Sequence, residues 1–190
     1  MFDSRRNPFD EPAHFVFEDE ERGKLGSLEI RFVFFGWTLD GISPRLGTDG
    51  KPIIDTVCVL TKISGCGTTN IAKAMVRSHM GLIQERAVTE LIIFHHWMDA
   101  ETYSFAAKET MFQLVAHPLI RRRLKEARVL VEPGLLSTMV DAGLRLSGVK
   151  DAMVVNSEHF FIKDINAILE GYDQRPGTLR VPATPELIPR

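Results

Sequence analysis

The chain has 190 residues, 44% of them hydrophobic and 25% charged, enough for one domain with a sizeable core and too few for two comfortable ones. Its net charge of −2 provides no overall basic field, so any nucleic-acid contact has to come from a local patch. Cys58 and Cys66 are the only cysteines, which excludes a disulfide framework and leads us to expect a reducing, cytoplasmic setting.

The first thirteen residues, polar and broken by Pro8 and Pro12, read as a flexible arm. They contain no apolar leader, and runs such as Leu91-Ile-Ile-Phe94 fall far short of the roughly 18 apolar residues of a membrane span, so no membrane partner is expected. Glu18-Asp-Glu-Glu-Arg22 reads as a solvated acidic turn. Ser27 to Trp37 alternates Leu28, Ile30, Phe32 and Phe34 with Glu29, Arg31 and Val33, the period of a strand with one face in the core. Asp40-Gly41 and Asp49-Gly50 mark turns, and a second strand from Ile53 to Ile63 pairs with the first as an antiparallel ribbon.

Strand and helix then alternate. A helix is predicted over about Thr69 to Glu85, with Ile71, Met75, Leu82 and Ile83 near one face, then a strand over Glu90 to His95. Tyr103, Ala107, Met111 and Leu114 recur at helical spacing within Ala100 to Val115, and a second, basic helical piece follows Pro118. Ala127 to Val131 is a strand, Leu135 to Leu146 a helix with Gly148 at the C-terminal cap position, and Lys150 to Val155 a core strand. A last helix covers Asp164 to Leu169, and residues 172–190, with four prolines, read as an extended tail. The expected architecture is a single three-layer α/β domain over residues 14–171, its mostly parallel sheet covered by helices on both faces and edged by the N-terminal antiparallel ribbon. Ligands of such sheets sit at the carboxyl ends of the strands.

Those ends fall at Thr61 to Asn70, His95 to Glu101, Val131 to Gly134 and Asn156 to His159, and with one basic helix they give four stretches that carry chemistry. Ser64-Gly-Cys-Gly-Thr-Thr-Asn70 reads as a glycine-rich loop entering a helix, where Gly65, Gly67, Thr68 and Thr69 form a candidate anion site. No lysine follows the glycines, which excludes the usual nucleoside-triphosphate loop, and Thr68 or Thr69 serves equally as a simple N-cap. Cys66 at a helix start is a candidate nucleophile, but Ala72 stands where a phosphatase arginine belongs. His95 and His96 fall on opposite faces of their strand and so cannot readily share a metal, and Asp99 reads as a cap for the following helix. Arg121, Arg122, Arg123 and Lys125 form the one basic cluster, either a solvated helix face or a contact for a phosphate backbone.

The fourth stretch, Leu135 to Ile165, has an acid in a helix (Asp141), a short connection with Asp151, an apolar strand, then the polar turn Asn156-Ser157-Glu158-His159 and Phe160-Phe161. By the order of elements over about residues 52–170 it resembles the NYN branch of the PIN-like ribonucleases. That resemblance implies carboxylates meeting at the strand ends around a divalent metal that activates water and neutralises a phosphodiester. Asp141 matches the helical acid and Glu158 the turn acid. The first strand, however, runs through Thr61-Lys62-Ile63-Ser64 where the family has an aspartate, and Asp55 lies at its opposite end. The resemblance therefore implies a non-catalytic or weakly catalytic module for binding or assembly, with no cofactor and with nucleic acid as one candidate partner. A metal-dependent ribonuclease is the alternative, with Asp141 and Glu158 holding Mg²⁺ or Mn²⁺ and His159 as acid or base. A further alternative is a structural subunit whose terminal arms order on a protein partner or on another copy.

Overall fold

Two long antiparallel strands form the frame on which the rest of the molecule is laid. The computed structural model describes residues 6–38, 40–86, 88–148 and 151–189. The first five residues of the expected arm, Lys150 at the head of the expected core strand, and Arg190 at the end of the tail lie outside the described residues. The elements in order are β1 (Phe15–Glu21), β2 (Lys24–Trp37), β3 (Thr56–Gly67), α1 (Thr69–Arg86), β4 (Glu90–His96), β5 (Ala100–Tyr103), α2 (Phe105–Ala116), α3 (Pro118–Arg123), β6 (Leu124–Leu130), α4 (Leu135–Ser147), β7 (Asp151–Val155), α5 (Glu158–Asp173) and β8 (Thr178–Val181).

The sheet runs β1-β2-β3-β4-β6-β7, with β5 added alongside the end of β3 and β8 alongside the end of β2. β1, β3 and β8 meet β2 antiparallel, whereas β3, β4, β6 and β7 pair in parallel. This is the mostly parallel α/β sheet with an antiparallel N-terminal ribbon that the residue pattern predicts. Because the parallel strands follow one another in one direction across the sheet, right-handed crossovers place their connecting helices on a common face. Ile71 and Met75 of α1, Met111 of α2, Ile120 of α3 and Leu144 of α4 do share one core with Val57, Val59, Leu91 and Ile93. On the other face α5 seats Phe161, Ile165 and Leu169 against Cys58, Leu60, Ile92 and Phe94. Successive strand residues thus serve opposite cores, as a period of two requires.

Several expectations are corrected. The acidic run Glu18 to Glu21 is the second half of β1, paired with Lys24 to Ser27, and the chain turns only at Arg22 and Gly23, both in the left-handed region (φ 58° and 76°). An edge strand tolerates this run because its outward positions, Val16, Glu18 and Glu20, face solvent. The expected flexible arm is packed where it is described. Residues Pro8–Asp10 form a 3-10 turn capped by Asn7, Phe9 is buried against Phe161, and the Arg6 carbonyl accepts a bond from Asn166. The expected extended tail is tied down as well: Phe34 and Val181 are paired across β2 and β8, and Leu187 is buried. β7 is an edge strand with Met153 exposed rather than a core strand. The last helix begins at Glu158, six residues earlier than predicted, because Ser157 caps it by accepting from the Phe160 amide.

Candidate functional site

The glycine-rich stretch folds differently from the expected loop. Ser64 to Gly67 continue β3, with Ser64 and Gly65 paired to Ser27 and Gly26 of β2 on one side and Gly65 to Gly67 paired to β5 on the other. The glycines are there for close approach. A Cβ on Gly26 would stand 1.8 Å from the Cys66 carbonyl oxygen, and one on Gly67 would stand 2.2 Å from the Tyr103 ring. The helix start is already occupied by the chain's own carboxylates. Thr68 Oγ1 donates to Asp19 Oδ2 at 2.6 Å, and the Thr69 amide donates to Glu21 Oε2 at 2.9 Å. Thr68 also caps α1 by accepting from the Ile71 amide. The predicted anion site at Gly65, Gly67, Thr68 and Thr69 is therefore an internal contact between β1 and α1, with the anion supplied by the protein. Cys66 is buried within β3 rather than placed in the first turn of α1.

Asp141 and Glu158 are not brought together. Asp141 lies on α4, paired with Arg145 at 2.8 Å, and α4 packs on the face of the sheet opposite to α5. Glu158 opens α5 and accepts from or faces His96 Nε2 at 3.3 Å, while His159 is exposed beside Phe160. Asp151 begins β7, and its carbonyl accepts from Arg128, which is held in turn by Asp164 and Glu126. Lys62 pairs with Asp99 at 2.6 Å, and this ammonium holds the Asp99 carboxyl below its usual range. Asp99 is thus engaged by Lys62, and Ser104 is the cap of the next helix. Among the described residues no three His, Cys, Asp or Glu side chains converge as metal ligands.

The basic cluster is partly spent on the fold. Arg123 donates to the Val88 and Leu119 carbonyls, and Lys125 faces Glu90 at 3.8 Å. Arg121 and Arg122 are exposed on α3.

Converging side chains occur elsewhere, at a place the residue pattern did not reveal. Between the sheet and α2 and α4 lies a cavity of about 50 Å³, lined by Ile93, Met111, Leu114, Ala127, Val140 and Leu144 among others. Since one water needs about 10–15 Å³ on this measure, the cavity has room for a small organic molecule. α2 and α4 approach closely at one point, where a Cβ on Gly143 would stand 2.2 Å from the Phe112 ring. One end of the cavity is aromatic. His95 stacks on Trp97 with ring centroids 5.2 Å apart, and Trp97 leans on Tyr103 at 5.6 Å; all three line the cavity. β4 delivers His95 to this face and His96 to the other, the separation expected of neighbours on a strand.

Behind His95 stands His79 of α1, its ring 5.7 Å away. His79 Nδ1 bonds to the Met75 carbonyl at 2.7 Å, so that nitrogen carries the proton and Nε2 is a bare acceptor. Burial pushes His79 down to about 4. Burial and the neighbouring His79 also hold His95 well below the ordinary histidine range, and its Nδ1 bonds with Thr61 Oγ1. Both rings are neutral at pH 7, and the cavity end is uncharged.

No family model and no curated protein matches the sequence. Among solved structures, an uncharacterised protein of the DUF3478 family with a SpoIIAA-like fold, from Shewanella loihica, is similar over 68% of this chain and 92% of its own, at 8% sequence identity and a TM-score of 0.45.

Proposed function

We propose that this chain is a non-catalytic α/β binding module whose ligand is a small, predominantly apolar molecule held between the sheet and helices α2 and α4. The observation that carries the reading is the cavity itself, walled by side chains of β4, β6, α2 and α4 that are almost wholly apolar. Close packing ordinarily leaves few voids in a core of this kind, and apolar cavities stay dry and accept apolar guests. The separation of Asp141 from Glu158 supports a binding role over phosphodiester hydrolysis, since two carboxylates on opposite faces of a sheet do not share one hydrated metal. The assembly alternative loses its main support, because Phe9 near one end and Val181 and Leu187 near the other are buried in the chain's own fold.

The test is a thermal melt with and without methylcyclohexane, in the parent and in Ala127→Leu, whose larger side chain fills the cavity. At ten times its Kd the hydrocarbon should add about 1.4 kcal/mol and raise the parent Tm by about 3–6 °C. Ala127→Leu should abolish that rise. An unmoved parent Tm, together with no xenon-induced shift of the Leu144 and Met111 methyl resonances, overturns the reading.

A further inference from the structure

At the aromatic end of the cavity, two lining residues carry hydrogen-bond donors that the fold leaves unused. Trp97 is 6% exposed, and its indole Nε1 is buried without a partner among the described residues. The Tyr103 hydroxyl is in the same condition, and both residues line the cavity with their rings 5.6 Å apart. Buried donors are nearly always paired in native proteins, because leaving one unpaired costs its full desolvation. Two unpaired donors on neighbouring residues of one apolar wall call for an acceptor.

Both are donors of neutral kind. Indole N–H has no acceptor capacity, and burial raises the Tyr103 phenol far above its ordinary range, so it keeps its proton. The histidines behind them are uncharged, and among the described residues the one cationic side chain on the cavity wall is Lys108. It is partly exposed, so its ammonium stays with the solvent while its stem covers apolar surface. A carboxylate carried to the aromatic end would be desolvated without a counter-charge, which is costly. A plain hydrocarbon would leave both donors unsatisfied. Resting on the binding role proposed above, we infer that the ligand is a small apolar molecule carrying one uncharged oxygen acceptor, a ketone, aldehyde or ester carbonyl, which accepts from Trp97 Nε1 and Tyr103 Oη.

Three probes of similar size separate the possibilities: cyclohexanone, methylcyclohexane and cyclohexanecarboxylate, each titrated into the full chain by calorimetry. Binding is followed in parallel through the indole N–H resonances, with Trp37→Phe assigning the signal of Trp97. Cyclohexanone should bind tightest and move the Trp97 N–H downfield, and methylcyclohexane should bind without moving it. Tyr103→Phe should weaken cyclohexanone about two- to tenfold, the worth of one neutral hydrogen bond, and leave methylcyclohexane unchanged. Where Tyr103→Phe does not fold, the indole shift in the parent decides alone. Equal binding of ketone and hydrocarbon with a stationary indole signal overturns the acceptor inference and leaves the cavity reading intact. Tightest binding by the carboxylate overturns the requirement for a neutral head. Failure of all three probes, with no methyl shift under xenon, overturns both readings.

Discussion

His79 shows what this core demands of single residues. It is fully buried, donates one ring proton to the Met75 carbonyl, and leaves Nε2 without a partner among the described residues. Charging such a ring inside the protein is unfavourable, whereas in the unfolded chain it titrates near 6.5. The sign follows directly. Between 6.5 and about 4 the unfolded state binds a proton that the native state refuses, so stability is full above pH 6.5 and falls as the pH drops towards 4. His95, shifted in the same direction, adds to the slope. Each histidine contributes about 1.4 kcal/mol per pH unit within its window. Urea midpoints at pH 7.5, 5.5 and 4.5 should therefore decline, and His79→Gln should flatten the decline by about one proton's worth. Equal slopes in parent and variant contradict this account of the buried ring.

At the scale of elements, the junction between β1 and α1 is the most instructive. Asp19 and Glu21 project from an edge strand and bind the first residues of a helix that lies far along the sequence. A carboxylate at a helix N-terminus is worth about 0.3–1 kcal/mol when exposed and up to about 2 when partly buried. Glu21→Gln should accordingly lower stability by about 1 kcal/mol, and adding salt should narrow the gap between parent and variant, as measured by urea denaturation in 0.05 and 0.5 M NaCl. A neutral substitution that costs nothing at low salt refutes the contact. This junction also marks where residue patterns lose their hold. The alternation of Leu28, Ile30, Phe32 and Phe34, and the helical spacing of Ile71, Met75 and Leu82, are local signals and were legible. Glu18 to Glu21 reads as solvated turn because its strand character comes from pairing with Lys24 to Ser27, not from its own composition. Ala100 to Tyr103 carries a helical period, since Tyr103 and Ala107 are four apart, but hydrogen bonding to Gly65, Cys66 and Gly67 makes it β5. The cavity was out of reach altogether: it is the space left between Trp97, Met111 and Leu144, and no local pattern encodes what three distant segments fail to fill.

For the whole molecule, both described ends of the chain belong to the folded domain. Phe9 closes the α5 face beside His96 and Phe161, and β8 completes the antiparallel side of the sheet. Among the described residues no helix is long and apolar enough to cross a membrane. Truncation after Arg175 removes Val181 and Leu187, two buried apolar side chains worth about 1.5–3 kcal/mol each. The shortened chain should lose about 3–6 kcal/mol, read from guanidinium unfolding followed by tryptophan fluorescence, in which Trp37 beside Gly177 is a reporter. An unchanged midpoint would mean that residues 176–189 are dispensable to the core.

The pairing of Phe34 with Val181 has a consequence for the order of events during synthesis. β2 leaves the ribosome long before β8, the strand that pairs with its end. Until β8 follows, the segment Phe34 to Trp37, with two phenylalanines and a tryptophan, has an open hydrogen-bonding edge, the kind of surface on which nascent chains join one another. Closing it requires a contact of very large sequence separation, which slows folding. The nascent chain is therefore most exposed to aggregation in the interval before residue 181 appears, and chaperone engagement should concentrate there.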